Sequence, residues 1–293
     1  MIFDACCFFF FFFRTYDEYY VANALLAEQL HCAIADIACF RRSSVENITA
    51  AQTKVDSMLI STNVLDYFEP WVPVIDNDIV RGQLYETILN VSFPLKPLMI
   101  GTLTEETVLF VYLELKDDMP PILYRAALVA FFKTKAEKVL QRFPPVGEGD
   151  QRALFSRLLT QWVFACSTRI FARKAANYSY VFGYPYDYDG WETLSFCNGH
   201  VCHGGELVYV FESKWVNFTD VGRRISQSMA TYWTNFAKTQ DPNEPVHFGI
   251  SWPKMHSGNE TYLYFQNPLE VKESYLNDEC DFWDSIGYKR DDF

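Results

Sequence analysis

Pro97-Leu98-Met99-Ile100-Gly101-Thr102-Leu103-Thr104-Glu105-Glu106-Thr107 sets the architecture of this chain. Pro94 and Pro97 lead into a short apolar run bounded by breakers, which reads as a buried strand, and a polar loop follows it. Beyond Pro120-Pro121 come two long helical patterns, about Ile122 to Gln141 and Asp150 to Ala176, separated by Pro144-Pro145-Val146-Gly147. The second carries Leu154, Leu158, Trp162 and Cys166 along one side. Tyr178, Tyr180 and Phe182 then alternate with Ser179 and Val181, a strand signature ended by Gly183 and Pro185. A helix starts near Thr219 or Asp220 with Val221, Ile225, Met229, Tyr232, Trp233 and Phe236 turned inward, and Tyr262-Leu263-Tyr264-Phe265 reads as the last strand. Strands alternating with long helices give an α/β fold with a mostly parallel sheet.

Toward the N-terminus the patterns are shorter. Phe68 to Asp78, with Pro70, Pro73 and an apolar Val72-Val74-Ile75, reads as an extended, partly buried passage. Ser43-Ser44-Val45-Glu46 offers a capping box for a short helix through about Gln52. From Asp17, Val21, Ala24, Leu25, Ala27 and Leu30 fall at helical spacing and predict a first helix with one apolar face. Met1 to Phe13 departs from this order: Cys6-Cys7 is followed by six phenylalanines, without a basic n-region or a small-residue cleavage site. It reads as a crude signal peptide or as an aberrant segment produced where the chain was taken to begin; the second reading is preferred, which leaves residues 14–293 as the native domain.

At 293 residues the chain can bury a sizeable core. Lys+Arg number 25 against 37 Asp+Glu, a net charge of -12, and the basic residues form no run beyond Arg41-Arg42 and Arg223-Arg224, which argues against nucleic acid as a partner. No stretch has the apolar length of a transmembrane helix. Eight cysteines leave free thiols, metal ligands and disulfides all open. Five sequons, at Asn47, Asn90, Asn177, Asn217 and Asn259, together favour the secretory pathway.

In an open α/β sheet, functional residues gather in loops beyond the carboxyl ends of the strands. One such loop places Glu105 and Glu106 side by side; the other runs Cys197-Asn-Gly-His200-Val-Cys202-His203-Gly204-Gly205-Glu206-Leu207. Two glycines after a histidine let a substrate or partner side chain approach the ring, and an acid bonded to one imidazole nitrogen would fix its tautomer. Alone, paired glutamates in a loop most often make solvated surface. The acid does precede the histidine, as in the triad order of α/β-hydrolases. Cys197, His200, Cys202 and His203 also crowd into seven residues, but structural zinc sites draw a second ligand pair from a distant segment, and the neighbours Cys202 and His203 are poorly placed to share an ion.

Phe68 to Val74 with Ile100-Gly101 to Glu106, then Cys202-His203-Gly204-Gly205-Glu206-Leu207 through Phe211, then Tyr232-Trp233-Thr-Asn-Phe236 through Asp241-Pro242-Asn243, resemble the acid loop, histidine loop and penultimate helix of type-B carboxylesterases, a family that includes cholinesterases and neuroligins. Cys32 to Arg41, Phe164 to Arg169, Trp252-Pro253 and Cys280 to Trp283 match as well, in the family's order, from about Phe13 to the end. The resemblance implies the C-terminal portion of an α/β-hydrolase fold. It assigns the triad acid to Glu106 and the triad histidine to His203, with Glu105 as a non-catalytic neighbour and Glu206 as a structural, hydrogen-bonded acid. Thr107 stands where the family commonly has glycine. It further implies disulfides Cys32–Cys39 and Cys166–Cys280; Cys197 and Cys202 could pair locally, and Cys6 and Cys7 are left over. No cofactor or metal is implied.

A serine esterase also needs Gly-x-Ser-x-Gly and a glycine-built oxyanion hole. No serine here has glycines two positions to either side, and the single Gly-Gly lies beside the histidine. In the family both elements lie upstream of the acid loop. The expectation is therefore a carboxylic-ester hydrolase fragment that supplies acid and histidine and acts on a small-molecule ester only if completed. The alternative is a non-catalytic secreted or adhesion module of the neuroligin kind. Nothing in the sequence sets substrate identity or oligomeric state.

Overall fold

The computed structural model describes residues 2–3, 13–58, 71–90, 95–188, 193–256 and 258–288, with backbone alone for 2–3. Cys6, Cys7, the phenylalanine run before Phe13, the Phe68 to Pro70 start of the extended passage and Pro94 lie outside the described residues. Two compact units are present, one formed by Phe9–Thr87 and the other by Met1–Phe8 with Ile88–Phe293.

In the smaller unit, Arg14–Thr15 pairs in parallel with Val74–Ile75. Thr15 caps the helix Tyr16–Gln29 through a full capping box, its hydroxyl accepting from the Glu18 amide while the Glu18 carboxylate accepts from the Thr15 amide. The buried side of this helix is Tyr19, Ala22 and Ala27, and Val21 of the expected apolar stripe is 60% exposed. Tyr19 decides that rotation: its hydroxyl donates to the Val72 carbonyl at 2.9 Å, and the Arg14 guanidinium lies 5.1 Å above its ring. The helix Val45–Asp56 is capped by Ser44, one residue later than expected, and runs beyond Gln52 because nothing breaks it before Asp56. Cys32 and Cys39 are disulfide-bonded around the start of a short helix, Ile37–Arg42.

The larger unit is built on a five-stranded sheet. We number its strands β1 (Ile2–Phe3), β2 (Met99–Leu103), β3 (Tyr178–Phe182), β4 (Thr261–Phe265) and β5 (Glu270–Glu273), and they lie in that spatial order. The β1–β2, β2–β3 and β3–β4 pairings are parallel and β4–β5 is antiparallel. Thr261–Phe265 is therefore followed by one more strand, whose Glu-Val-Lys-Glu sequence carries charge at three of four positions, as an exposed edge strand often does.

Every residue of β2 is buried, as expected of a parallel strand covered on both faces. Its Met99 and Leu103 join Tyr178, Tyr180, Phe182, Leu263 and Phe265 against Tyr232 and Trp233 of the helix Asp220–Thr239, with Trp252 filling the same core. Gly101 is required here, because a Cβ would fall 2.4 Å from the Tyr180 ring on β3. The connection from β2 to β3 contains both long helical patterns, each interrupted. The first divides into Pro121–Phe132 and Ala136–Arg142 at Lys133, whose φ is 40°. The second runs Arg152–Leu159, a π-helical stretch Thr160–Ala165, and Cys166–Ala175. Cys166–Cys280 joins this last helix to the helix Asn277–Ile286. Beside that bridge the Arg169 guanidinium bonds Asp281, Asp284 and Asn277.

Candidate active site

The chain turns back on itself where β2 ends. Glu106 lies just past the strand, is wholly buried, and reaches back so that Oε1 accepts from the Leu103 amide at 2.7 Å and the Thr102 hydroxyl at 3.1 Å. Two donors to one oxygen fix the position of the carboxylate. The other oxygen, Oε2, lies 2.7 Å from His203 Nδ1. A carboxylate only accepts, so Nδ1 carries the proton and a neutral ring keeps its lone pair on Nε2. The His203 ring is tilted against Phe110 and Phe164, with centroids 5.2 and 5.3 Å away, and its side chain retains 23% exposure.

Thr107, the departure from glycine, is held by its surroundings. Its amide donates to the Thr160 hydroxyl at 3.1 Å and its own hydroxyl donates to the Ser156 carbonyl at 2.5 Å. These bonds tie the acid loop to the turn where the long helix changes to π geometry, a device often found beside functional sites.

The histidine loop is held from the other side. Cys197 and Cys202 form a disulfide, so neither sulfur is available as a thiolate to a metal. The Tyr186 hydroxyl donates to the Cys202 carbonyl. Burial pushes the Tyr186 phenol well above its ordinary range, with Tyr188, Glu206 and Glu106 adding to the effect, so it remains a donor at any ordinary pH. The two glycines after His203 have a reason beyond the one expected. Gly204 has φ 75°, a left-handed conformation that favours glycine. At Gly205 a Cβ would sit 1.4 Å from the Tyr186 hydroxyl oxygen. Both glycines are thus required by the fold of the loop as well.

Glu105 points to the same loop. Its Oε1 is 3.0 Å from His200 Nδ1 and its Oε2 accepts from the Val201 amide at 2.9 Å. Glu206 is buried at the head of the short helix Leu207–Val210. Trp162 is buried with its indole N–H on the Gly287 carbonyl, and the Tyr184 hydroxyl donates to Asp187. Sequence reasoning passed over Tyr186 and Asp187. The Asp187 carboxylate accepts from Tyr184, Tyr209 and Thr219, the last being the cap of the helix Asp220–Thr239. Alternation of Tyr184, Tyr186 and Tyr188 with Asp187 and Asp189 was the available signal.

Of the sequon asparagines, Asn47, Asn90, Asn217 and Asn259 are exposed. Asn177 is half-buried, and its side-chain oxygen accepts from the Leu98 amide at 2.9 Å at the start of β2. Among the described residues no helix is long and apolar enough to cross a membrane.

The sequence model of the carboxylesterase family matches residues 15–283. Two proteins of Dictyostelium discoideum are similar over most of the chain: the Crystal protein is 31% identical over 277 residues, covering 89% of this chain and 50% of its own length, and the cAMP-regulated D2 protein is 29% identical over 276 residues, covering 90% and 51%. Among solved structures, a PNB esterase superposes with a TM-score of 0.70 at 17% identity, covering 96% of this chain and 57% of the esterase. The fold is that of an α/β-hydrolase. The chain spans about half the length of the curated relatives it matches.

Proposed function

This chain belongs to the carboxylesterase family, and on that premise we propose that it supplies the acid and the general base of a serine carboxylic-ester hydrolase, Glu106 and His203. The contact between them carries the reading: a wholly buried carboxylate, fixed by two donors on one oxygen, meets Nδ1 of a partly exposed imidazole at 2.7 Å. That geometry leaves Nε2 as the basic nitrogen. His203 would take the proton of a serine hydroxyl as it attacks an ester carbonyl, return it to the leaving alcohol, and later activate water for deacylation. Glu106 would hold the ring and stabilise the imidazolium. The partial exposure of His203 beside a wholly buried carboxylate favours the enzyme reading over the adhesion reading, since a purely structural pair does not need its second ring nitrogen accessible.

Neither Gly-x-Ser-x-Gly nor a glycine-built oxyanion hole lies within these 293 residues, so the proposed reaction needs both from another segment. By itself the chain therefore gives no enzymatic turnover of p-nitrophenyl acetate. Joined to an upstream carboxylesterase segment carrying Gly-x-Ser-x-Gly, it turns the ester over, and His203→Ala lowers that rate roughly 10⁶-fold. Turnover by the joined protein that ignores His203→Ala would contradict the assignment.

Three disulfides and four exposed sequon asparagines support a protein that matures in the secretory pathway. Asn177 is the exception, since its side chain is half-buried and held in place by the Leu98 amide at Oδ1. Glycopeptide mass spectrometry of the secreted protein should find Asn47 and Asn217 modified and Asn177 bare.

A further inference from the structure

The acid loop sends two consecutive carboxylates to one four-residue segment, His200 to His203. Glu106 holds the His203 ring. Glu105 holds the backbone two residues earlier, through the Val201 amide at 2.9 Å, and its second oxygen meets His200 Nδ1 at 3.0 Å. We propose that Glu105 is a positioning residue for His203, acting through the Val201 amide to set the alignment of the histidine loop on the acid loop. This rests on the reading of Glu106 and His203 as acid and base.

The Glu106–His203 bond fixes one distance and Phe110 and Phe164 pack on the ring, but these contacts act on the side chain and not on the backbone of the loop. The other restraints on the loop, the Cys197–Cys202 disulfide and the Tyr186 hydroxyl on the Cys202 carbonyl, tie it to itself and to the segment leaving β3. Neither reaches the acid loop. Glu105 supplies a second point of attachment there, one residue along from the first, and two points define an orientation. Of its two contacts, the Val201 amide is the one that matters for position: it is backbone, while the His200 side chain is 48% exposed.

The test reads the His203 Nδ1 proton by NMR in the ¹⁵N-histidine-labelled chain. Wild type gives a downfield, slowly exchanging resonance. Glu105→Gln, which keeps an oxygen for the Val201 amide, retains it, and His200→Phe does the same. Glu105→Ala speeds its exchange with solvent about tenfold, the factor expected for loss of one hydrogen bond to a charged group. Glu105→Asn, one methylene too short to reach Val201, behaves like alanine and serves if the alanine variant does not fold. Melting temperatures taken alongside separate repositioning from general loosening: the effect on exchange must exceed that on two reference amides in β3. Unchanged exchange in both short variants overturns the proposal while leaving the Glu106–His203 pair intact. Absence of the resonance in wild type overturns the pair and the proposal with it.

Discussion

Glu106–His203 and Glu105–His200 are the same chemistry placed one residue apart in different surroundings. In the first the carboxylate has no exposure and its second oxygen holds two further donors. In the second the acid is 37% exposed, the histidine is half in solvent, and the distance is longer. Water competes for the outer pair and screens it, so its worth as an ion pair is small. No water relieves Glu106, so its partners are obligatory, and removing one leaves a buried polar group unsatisfied. Adjacent carboxylates thus differ by burial: Glu106 cannot lose its partners, while the Glu105–His200 ion pair is a solvated contact beside the Val201 bond.

Breaking the inner pair is the strongest test of that contrast. Glu106→Ala strands the Leu103 amide and the Thr102 hydroxyl and should destabilise the larger unit by about 3–5 kcal/mol in urea unfolding. Displacing the histidine loop comes next. Gly205→Ala drives a methyl into the Tyr186 phenol and should cost about 1–3 kcal/mol. Thr107→Val removes the hydroxyl bond to the Ser156 carbonyl and the hydroxyl contact with Thr160 while leaving each its backbone N–H partner, for a loss of about 1 kcal/mol. The outer pair should hardly register: His200→Ala falls below about 1 kcal/mol, and half a molar of added salt removes most of what remains.

An intermediate case sharpens the comparison. Burial works against ionisation of Asp241, but hydrogen bonds from the Asn243 amide and side chain and from Tyr178 outweigh it, and its pKa lies below the usual carboxylate value. A carboxyl with a lowered folded pKa adds stability that is present above the unfolded value, about 3.9, and lost as pH falls through the folded one. Wild type should therefore lose more stability than Asp241→Asn between pH 4 and about pH 2.

The sheet was legible where apolar runs end at breakers: Met99–Leu103 and Tyr178–Phe182 follow from Pro97, Gly183 and Pro185. The strand Glu270–Glu273 was not, because an edge strand carrying charge reads as polar loop. The break at Lys133 and the π turn at Thr160 lie inside helix-favouring sequence and are tertiary adjustments. In the candidate site, both partners of the inner pair could be named from motif order, but a sequence separation of 97 leaves no local trace of contact. Tyr186 and the role of Thr107 were hidden for the same reason, since each acts through a partner distant in sequence.

The central claim, that a buried Glu106 fixes His203 as a base, is tested most directly by its tautomer. A long-range ¹H–¹⁵N spectrum of the histidine-labelled chain above the His203 pKa should place the proton on Nδ1 and the lone pair on Nε2, and Glu106→Gln should disturb that assignment while Glu105→Gln should not. A proton on Nε2 in wild type would leave the ring without a base on the side away from Glu106, and would contradict the account.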